Sequence, residues 1–142
     1  MTLALEQAKF AQNQDEVPIG AVIVQQGQVI ASAHNLCESL KDPTAHAELL
    51  AIQKACAALG EMRLSDCELY VTLEPCAMCA GAISHARLAK VIYGAYDPKG
   101  GAIDHGAKVF QSPNCLHRPD VISGVDENES KQLLQSFFLA KR

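Results

Sequence analysis

The stretch ELYVTLEPCAMCAGAI, residues 68–83, decides the fold. Its first half, Glu68–Leu73, alternates polar and apolar side chains, the period of a half-buried strand. Pro75 ends that pattern and suits the opening of a helix. The second half, about Cys76–Arg87, is rich in small residues that let a helix pack closely on a sheet. A strand running directly into a helix is the unit of a layered α/β domain. Cys76 and Cys79 fall on that junction, three residues apart, so they share a face of the first turn.

Working outward, the same pattern recurs. Residues 3–13 carry Leu3, Ala4, Ala8 and Ala11 on one helical face, and Glu16-Val17-Pro18 interrupts it. Pro18–Val24 and Val29–Ala33 read as strands about a turn at Gln25-Gln26-Gly27-Gln28, a hairpin. After a polar loop over 34–43, Asp42 is placed to cap a helix with Pro43 at its first position, running from about Thr44 to Leu59 and stopped by Gly60. Lys90–Ala95 predicts a fourth strand and Val121–Val125 a fifth. Between them, residues 97–118 are rich in Gly and Pro, with one short helix near 102–110. Asp126 or Ser130 opens a last helix through Leu139. This order predicts one domain over residues 1–142: a three-layer α/β/α sandwich around a mixed five-stranded sheet. It is antiparallel in the hairpin and parallel after each crossover helix.

Composition supports that frame. With 142 residues, 49% hydrophobic and 20% charged, the chain is long enough to bury a core without staples. Without Trp, and with three Tyr and four Phe, it lacks the aromatics for a broad single-strand stacking platform. No apolar run is long enough for a membrane span, and MTLALEQAKF has no basic leader, so the cytoplasm is the expected compartment. The net charge is −4, but the balance shifts along the chain. Residues 1–84 are acidic, whereas residues 85–118 hold five Lys/Arg against Asp97 and Asp104, a segment able to meet a phosphate backbone. Six cysteines in a chain of this length, without a leader, read as reduced thiols rather than a disulfide framework.

Two helix starts carry chemistry: Pro43-Thr44-Ala45-His46-Ala47-Glu48 and Thr72-Leu73-Glu74-Pro75-Cys76-Ala77-Met78-Cys79. In α/β sheets, ligands bind beyond strand ends where helix N-termini converge. A helix N-terminus favours a thiolate, and two thiolates plus the His46 imidazole make a donor set suited to zinc with one tetrahedral position left open. Cys-x-x-Cys alone would also fit a structural zinc or a redox pair. A structural site takes four protein ligands, however, and a redox pair has no use for His46 and Glu48. Glu48 is read as a proton carrier beside the metal rather than as a ligand. Positions 46 and 48 do not share a face of a regular helix, so the reading requires a non-helical first turn.

His-Ala-Glu at 46–48 followed by Pro-Cys-x-x-Cys at 75–79 resembles the established signature of the zinc deaminases. EVPIGAVIV, DPTAHAE, TLEPCAMCAGAI, GAYDPKGGA and the Phe137-Phe138 pair extend the likeness over nearly the whole chain. They make it similar to the bacterial tRNA-specific adenosine deaminases of the cytidine/deoxycytidylate deaminase superfamily. The resemblance implies a cytidine-deaminase-like fold, one Zn²⁺ per subunit on His46, Cys76 and Cys79, and a homodimer with the site near the subunit boundary. It implies hydrolytic conversion of the wobble adenosine of an arginine tRNA anticodon to inosine. Zinc-bound hydroxide would attack C6, and Glu48 would relay protons to N1 and to the departing amine. The Ala47 N–H would help fix the base, Asn35 would contact the nucleotide, Val17 would wall the base pocket, and Asp97 and Lys99 would lie near the RNA of the anticodon stem-loop. Two stretches depart from the family pattern: Leu139-Ala140-Lys141-Arg142 is less basic than usual after the Phe pair, and Ile103-Asp104-His105-Gly106 replaces a small apolar run. The same zinc core also serves deaminases of free nucleosides, nucleotides and guanine, and a zinc-stabilised RNA-binding module is a third reading; turnover of RNA against free bases separates them.

Overall fold

The computed structural model describes residues 1–142. Five strands form one sheet: β1 (Gly20–Gln25), β2 (Gln28–His34), β3 (Cys67–Leu73), β4 (Lys90–Ala95) and β5 (Asp120–Ile122), in the order β2-β1-β3-β4-β5. β1 is antiparallel to both β2 and β3, and β3, β4 and β5 run parallel. β2 and β3 point the same way on either side of β1, so the strand after the first crossover helix pairs antiparallel with β1 rather than parallel as expected, and the parallel pairing begins at β3–β4. The hairpin register shifts between Ile23 and Val24, a bulge that places Val24 opposite Val29.

Helices cover both faces. α1 (Thr2–Asn13) and α5 (Glu127–Ala140) lie on one side, and α3 (Ala47–Leu59) and α4 (Ala77–His85) on the other. The strands' period of two sorts the side chains between them. Ala21, Ile23, Leu69, Val71, Val91 and Tyr93 join Ala47, Ala51, Ala55, Ala80 and Ile83 in the main core. Alanine dominates the buried face of α3, which brings its backbone close to the sheet. α1 approaches β1 closely too: a Cβ at Gly20 would stand 2.0 Å from the Ala4 carbonyl oxygen, so only glycine fits there.

The structure corrects several boundaries. The helix expected from Thr44 begins at Ala47, with His46 as an extended N-cap at φ −77° and ψ 148°. Asp42 does not cap it. Its carboxylate instead accepts the Thr44 N–H at 2.8 Å and the Thr44 hydroxyl at 2.6 Å, a local Asx turn. The polar loop contains a short helix, α2 (Cys37–Leu40). The helix expected near 102–110 shrinks to a 3₁₀ turn at Val109–Gln111, because the segment's N–H groups find other acceptors. β5 stops at Ile122, where Gly124 (φ 78°) and Asp126 (φ 54°) turn the chain into α5.

Candidate active site

His46 and Cys76 occupy equivalent places: each is the extended residue just before a helix, at the N-cap of α3 and α4 respectively. An N-cap side chain ordinarily turns back to its own helix. Neither does so here, and both are free to point at a shared centre. His46 Nδ1 lies 3.7 Å from Cys76 Sγ and 3.5 Å from Cys79 Sγ, and the ligating atoms of all three lie within 4.8 Å of one another. A tetrahedral ion with metal–sulfur bonds of about 2.3 Å and metal–nitrogen bonds of about 2.0–2.1 Å holds sulfur and nitrogen about 3.6 Å apart. The triangle fits such an ion. The extended backbone at His46 also resolves the face problem: His46 stands outside the helix while Glu48 is inside its first turn.

Electrostatics agree with thiolate ligation. The hydrogen bond from the Cys79 thiol, set against burial and helped by His46, pulls the Cys76 thiol down to about 4. The Cys79 thiol is pushed up by that same pairing with Cys76 and by burial. A divalent cation held here would take both sulfurs as thiolates. The hydrogen bond between His46 and Cys76 raises the His46 imidazole against burial.

Glu48 lies outside the triangle but beside it, adjoining Cys79. It is 4% exposed, and its Oε2 is buried with no hydrogen-bond partner. Burial pushes its carboxyl up to about 7, with its own backbone N–H and His46 pulling the other way. A carboxyl poised near the working pH is suited to both taking and giving a proton. A cation in the triangle would draw it downward and favour the carboxylate.

Asn35, at the end of β2, is buried, and its Oδ1 accepts the Ala47 N–H at 2.8 Å. It thus supplies from twelve residues upstream the cap that His46 withholds. The Ala47 N–H, expected above to help fix the base, donates to Asn35 in this structure. The side-chain N–H₂ of Asn35 makes no hydrogen bond within the chain. Val17 is half-buried beside a groove of about 640 Å³ bounded also by Lys41, Phe137, Phe138 and Lys141. Asp97 Oδ1 accepts the N–H groups of Lys99 (3.2 Å) and Gly100 (3.0 Å), so its side chain is committed to the turn. Lys99 is exposed and takes part in none of the ion pairs.

Two buried carboxylates escaped the sequence reading of the site. Glu74 gathers the loop that follows β4, and Glu16 accepts the N–H groups of Glu38 and Ser39, both at 2.8 Å. In sequence Glu74 stands beside the thiols, just ahead of α4. Its actual partners lie 23 to 31 residues away, beyond the reach of any local pattern.

Comparisons with known proteins agree with this geometry. A family model for MafB19-like deaminases matches residues 1–142. The tRNA-specific adenosine deaminase of Agrobacterium fabrum is 55% identical over 142 residues, covering all of this chain and 93% of that protein. The Bacillus subtilis protein of the same name is 49% identical, covering 97% of this chain and 86% of the relative. A structure solved in work on A-to-I editing by tRNA:A34 deaminases superposes with a TM-score of 0.93 at 55% identity, covering 94% of this chain and 97% of its own. A signature housed in matching geometry, and likeness sustained over the full length, place the chain in the MafB19-like deaminase family, where it belongs with the tRNA-specific adenosine deaminases.

Proposed function

We propose that this enzyme hydrolyses adenosine to inosine at the wobble position of a tRNA anticodon, that of an arginine tRNA, releasing ammonia. The observation that carries the chemistry is the pairing of three soft donors at metal-binding distances with one buried, unpartnered carboxylate oxygen beside them. The choice of a tRNA adenosine rests on the relatives' names at 49–55% identity over most of both chains.

His46, Cys76 and Cys79 would hold Zn²⁺, which when bound supplies a Lewis acid that makes water nucleophilic near neutral pH. Glu48 does the proton work. Its Oε2 takes one proton from the attacking water and passes it to N1 of adenine, then takes the proton left on the new C6 hydroxyl and gives it to the amine, so that the C6–N bond breaks, ammonia leaves and the C6 carbonyl forms. The Asn35 side-chain amide donates to the bound nucleoside, with Ala47 behind it as a buried wall. Val17 lines the approach from the groove side, and Lys99 offers an unpaired cation to the RNA phosphates. Asp97 contributes by shaping the turn that carries Lys99. A base in an anticodon loop is not held in a duplex, so extruding it into the pocket costs less than flipping it from a helix. The chain works as a homodimer in the cytoplasm; no helix is long and apolar enough to cross a membrane.

The test is the purified protein on an arginine tRNA transcript beside free adenosine, cytidine and guanine, with inosine read by sequencing. Inosine at the wobble position in the RNA, absent with Glu48→Ala, is the expected result. Turnover of a free base or nucleoside alone would overturn the choice of RNA. Bound zinc and RNA affinity without ammonia release would overturn catalysis.

A further inference from the structure

Glu74 precedes Pro75-Cys76, and its side chain has no exposed surface. Its carboxylate collects five hydrogen bonds from one loop. Oε1 accepts the Asp97 N–H at 3.0 Å and meets His105 Nδ1 at 2.8 Å. Oε2 accepts the N–H groups of Ile103 (3.2 Å), Asp104 (3.0 Å) and His105 (3.1 Å). The backbone adds two ties: the Glu74 N–H donates to the Ala95 carbonyl at 2.9 Å, and the Ala102 N–H to the Pro75 carbonyl at 2.9 Å.

The loop is built around this carboxylate. A Cβ at Gly101 would lie 2.5 Å from Glu74 Cδ and 2.6 Å from the Asp97 carbonyl oxygen, so only glycine passes so close. His105, about one-third exposed, closes the outer side. Its ring packs edge-on against Tyr96 with centroids 6.0 Å apart, Tyr96 packs edge-on against Tyr93 at 5.5 Å, and the Tyr93 hydroxyl donates to Asp104. The segment 97–105 is thereby fastened at once to the end of β4 and to the start of α4, two residues from a proposed metal ligand. The same segment carries the exposed Lys99, whose N–H is held by Asp97 Oδ1.

We propose that Glu74 and His105 are positioning residues: they hold the 97–105 loop as one wall of the substrate entrance and so set the affinity for RNA rather than the chemical step. This rests on the deaminase reading above.

The test is steady-state deamination of an anticodon stem-loop bearing wobble adenosine, with zinc per chain measured alongside. His105→Leu keeps bulk but removes the donor to Glu74. KM should rise about tenfold, with kcat within about twofold and zinc content unchanged, the signature of lost binding rather than lost transition-state contact. His105→Asn places an N–H near the Nδ1 position and should return KM to within about twofold of the parent. Glu74→Gln, which turns an amide N–H₂ toward backbone donors, should raise KM further. Should it fail to fold, the His105 pair decides alone. An unchanged KM in His105→Leu, a fall in kcat at constant KM, or an equal loss in His105→Asn and His105→Leu would overturn the proposal. Were the parent protein to turn over only a free base, that result would defeat the RNA reading by itself. The same variants would then be scored on the KM for that base, where no change again overturns positioning.

Discussion

Asn35 Oδ1 accepts the Ala47 N–H at 2.8 Å, and this bond joins the end of β2 to the first turn of α3 between His46 and Glu48. It caps the helix that carries both residues while leaving the amide N–H₂ of Asn35 uncommitted. Asn35→Ala should therefore act twice. Leaving a buried backbone donor unpaired costs about 1–3 kcal/mol, which thermal or urea unfolding reads directly. Losing the amide also weakens nucleoside binding, so KM should rise. Asn35→Asp keeps an acceptor for Ala47 but replaces the outward donor with an acceptor oxygen. It should recover much of the stability and none of the affinity, and equal losses in both variants would show that the residue only caps.

Glu48→Gln separates chemistry from architecture. The side chain is fully enclosed, and Oε2 has no partner that an amide would lose. The fold should tolerate the change with stability equal to or above that of the parent, since a buried ionisable group has been removed. Proton transfer by a positioned group contributes typically about 10²–10⁴-fold, so kcat should fall at least that far while zinc binding persists. A single-turnover assay with metal analysis checks it. Activity within tenfold of the parent would assign proton transfer elsewhere.

Metal removal gives a further expectation. His46 stands at one helix start, and Cys76 and Cys79, 30 and 33 residues further on, at another, so an ion they share crosslinks α3 and α4. Chelation should abolish deamination, lower the melting temperature, and be reversed by one equivalent of Zn²⁺. Because the ligands bind as a deprotonated thiolate pair and a neutral imidazole, the metal should be lost more readily as pH falls. Cys79→Ser should weaken retention more than Cys56→Ser, whose thiol lies outside the triangle. Inductively coupled plasma analysis after dialysis distinguishes them.

How much of this was legible in the sequence follows from the range of each interaction. The strands and the helices α1, α3, α4 and α5 are written in local periodicity, and His46, Glu48, Cys76 and Cys79 in two short motifs whose residue types leave few chemical alternatives. What stayed hidden depended on distant partners. Asp42 followed by Pro43 reads as a helix cap, yet the Asx turn with Thr44 takes that carboxylate first, and the helix waits for Ala47. Glu74 beside two cysteines suggests helix-end hydrogen bonds. Only the folded chain shows that its donors arrive from residues 97–105. Glu16 gave no signal at all, since its donors lie 22 and 23 residues downstream.

Glu16 also sets the final prediction, on acid stability. Burial alone would push its carboxyl up. The Ser39 and Glu38 N–H groups, the Ser39 hydroxyl and the charge of His34 outweigh that and hold it below its ordinary value. A carboxyl depressed in the folded state binds fewer protons there than in the unfolded chain. Its contribution is therefore complete above the unfolded value of about 4.3 and drains away as pH falls through the folded one. Glu16→Gln should be clearly less stable than the parent at about pH 7, because one acceptor oxygen becomes a donor facing the α2 backbone. The gap should narrow as pH falls below the unfolded value of about 4.3 and the parent's carboxylate is protonated. Urea unfolding of both proteins across that range measures it. A gap that stays constant with pH would mean that Glu16 supports α2 by shape and hydrogen bonding alone, without the charge.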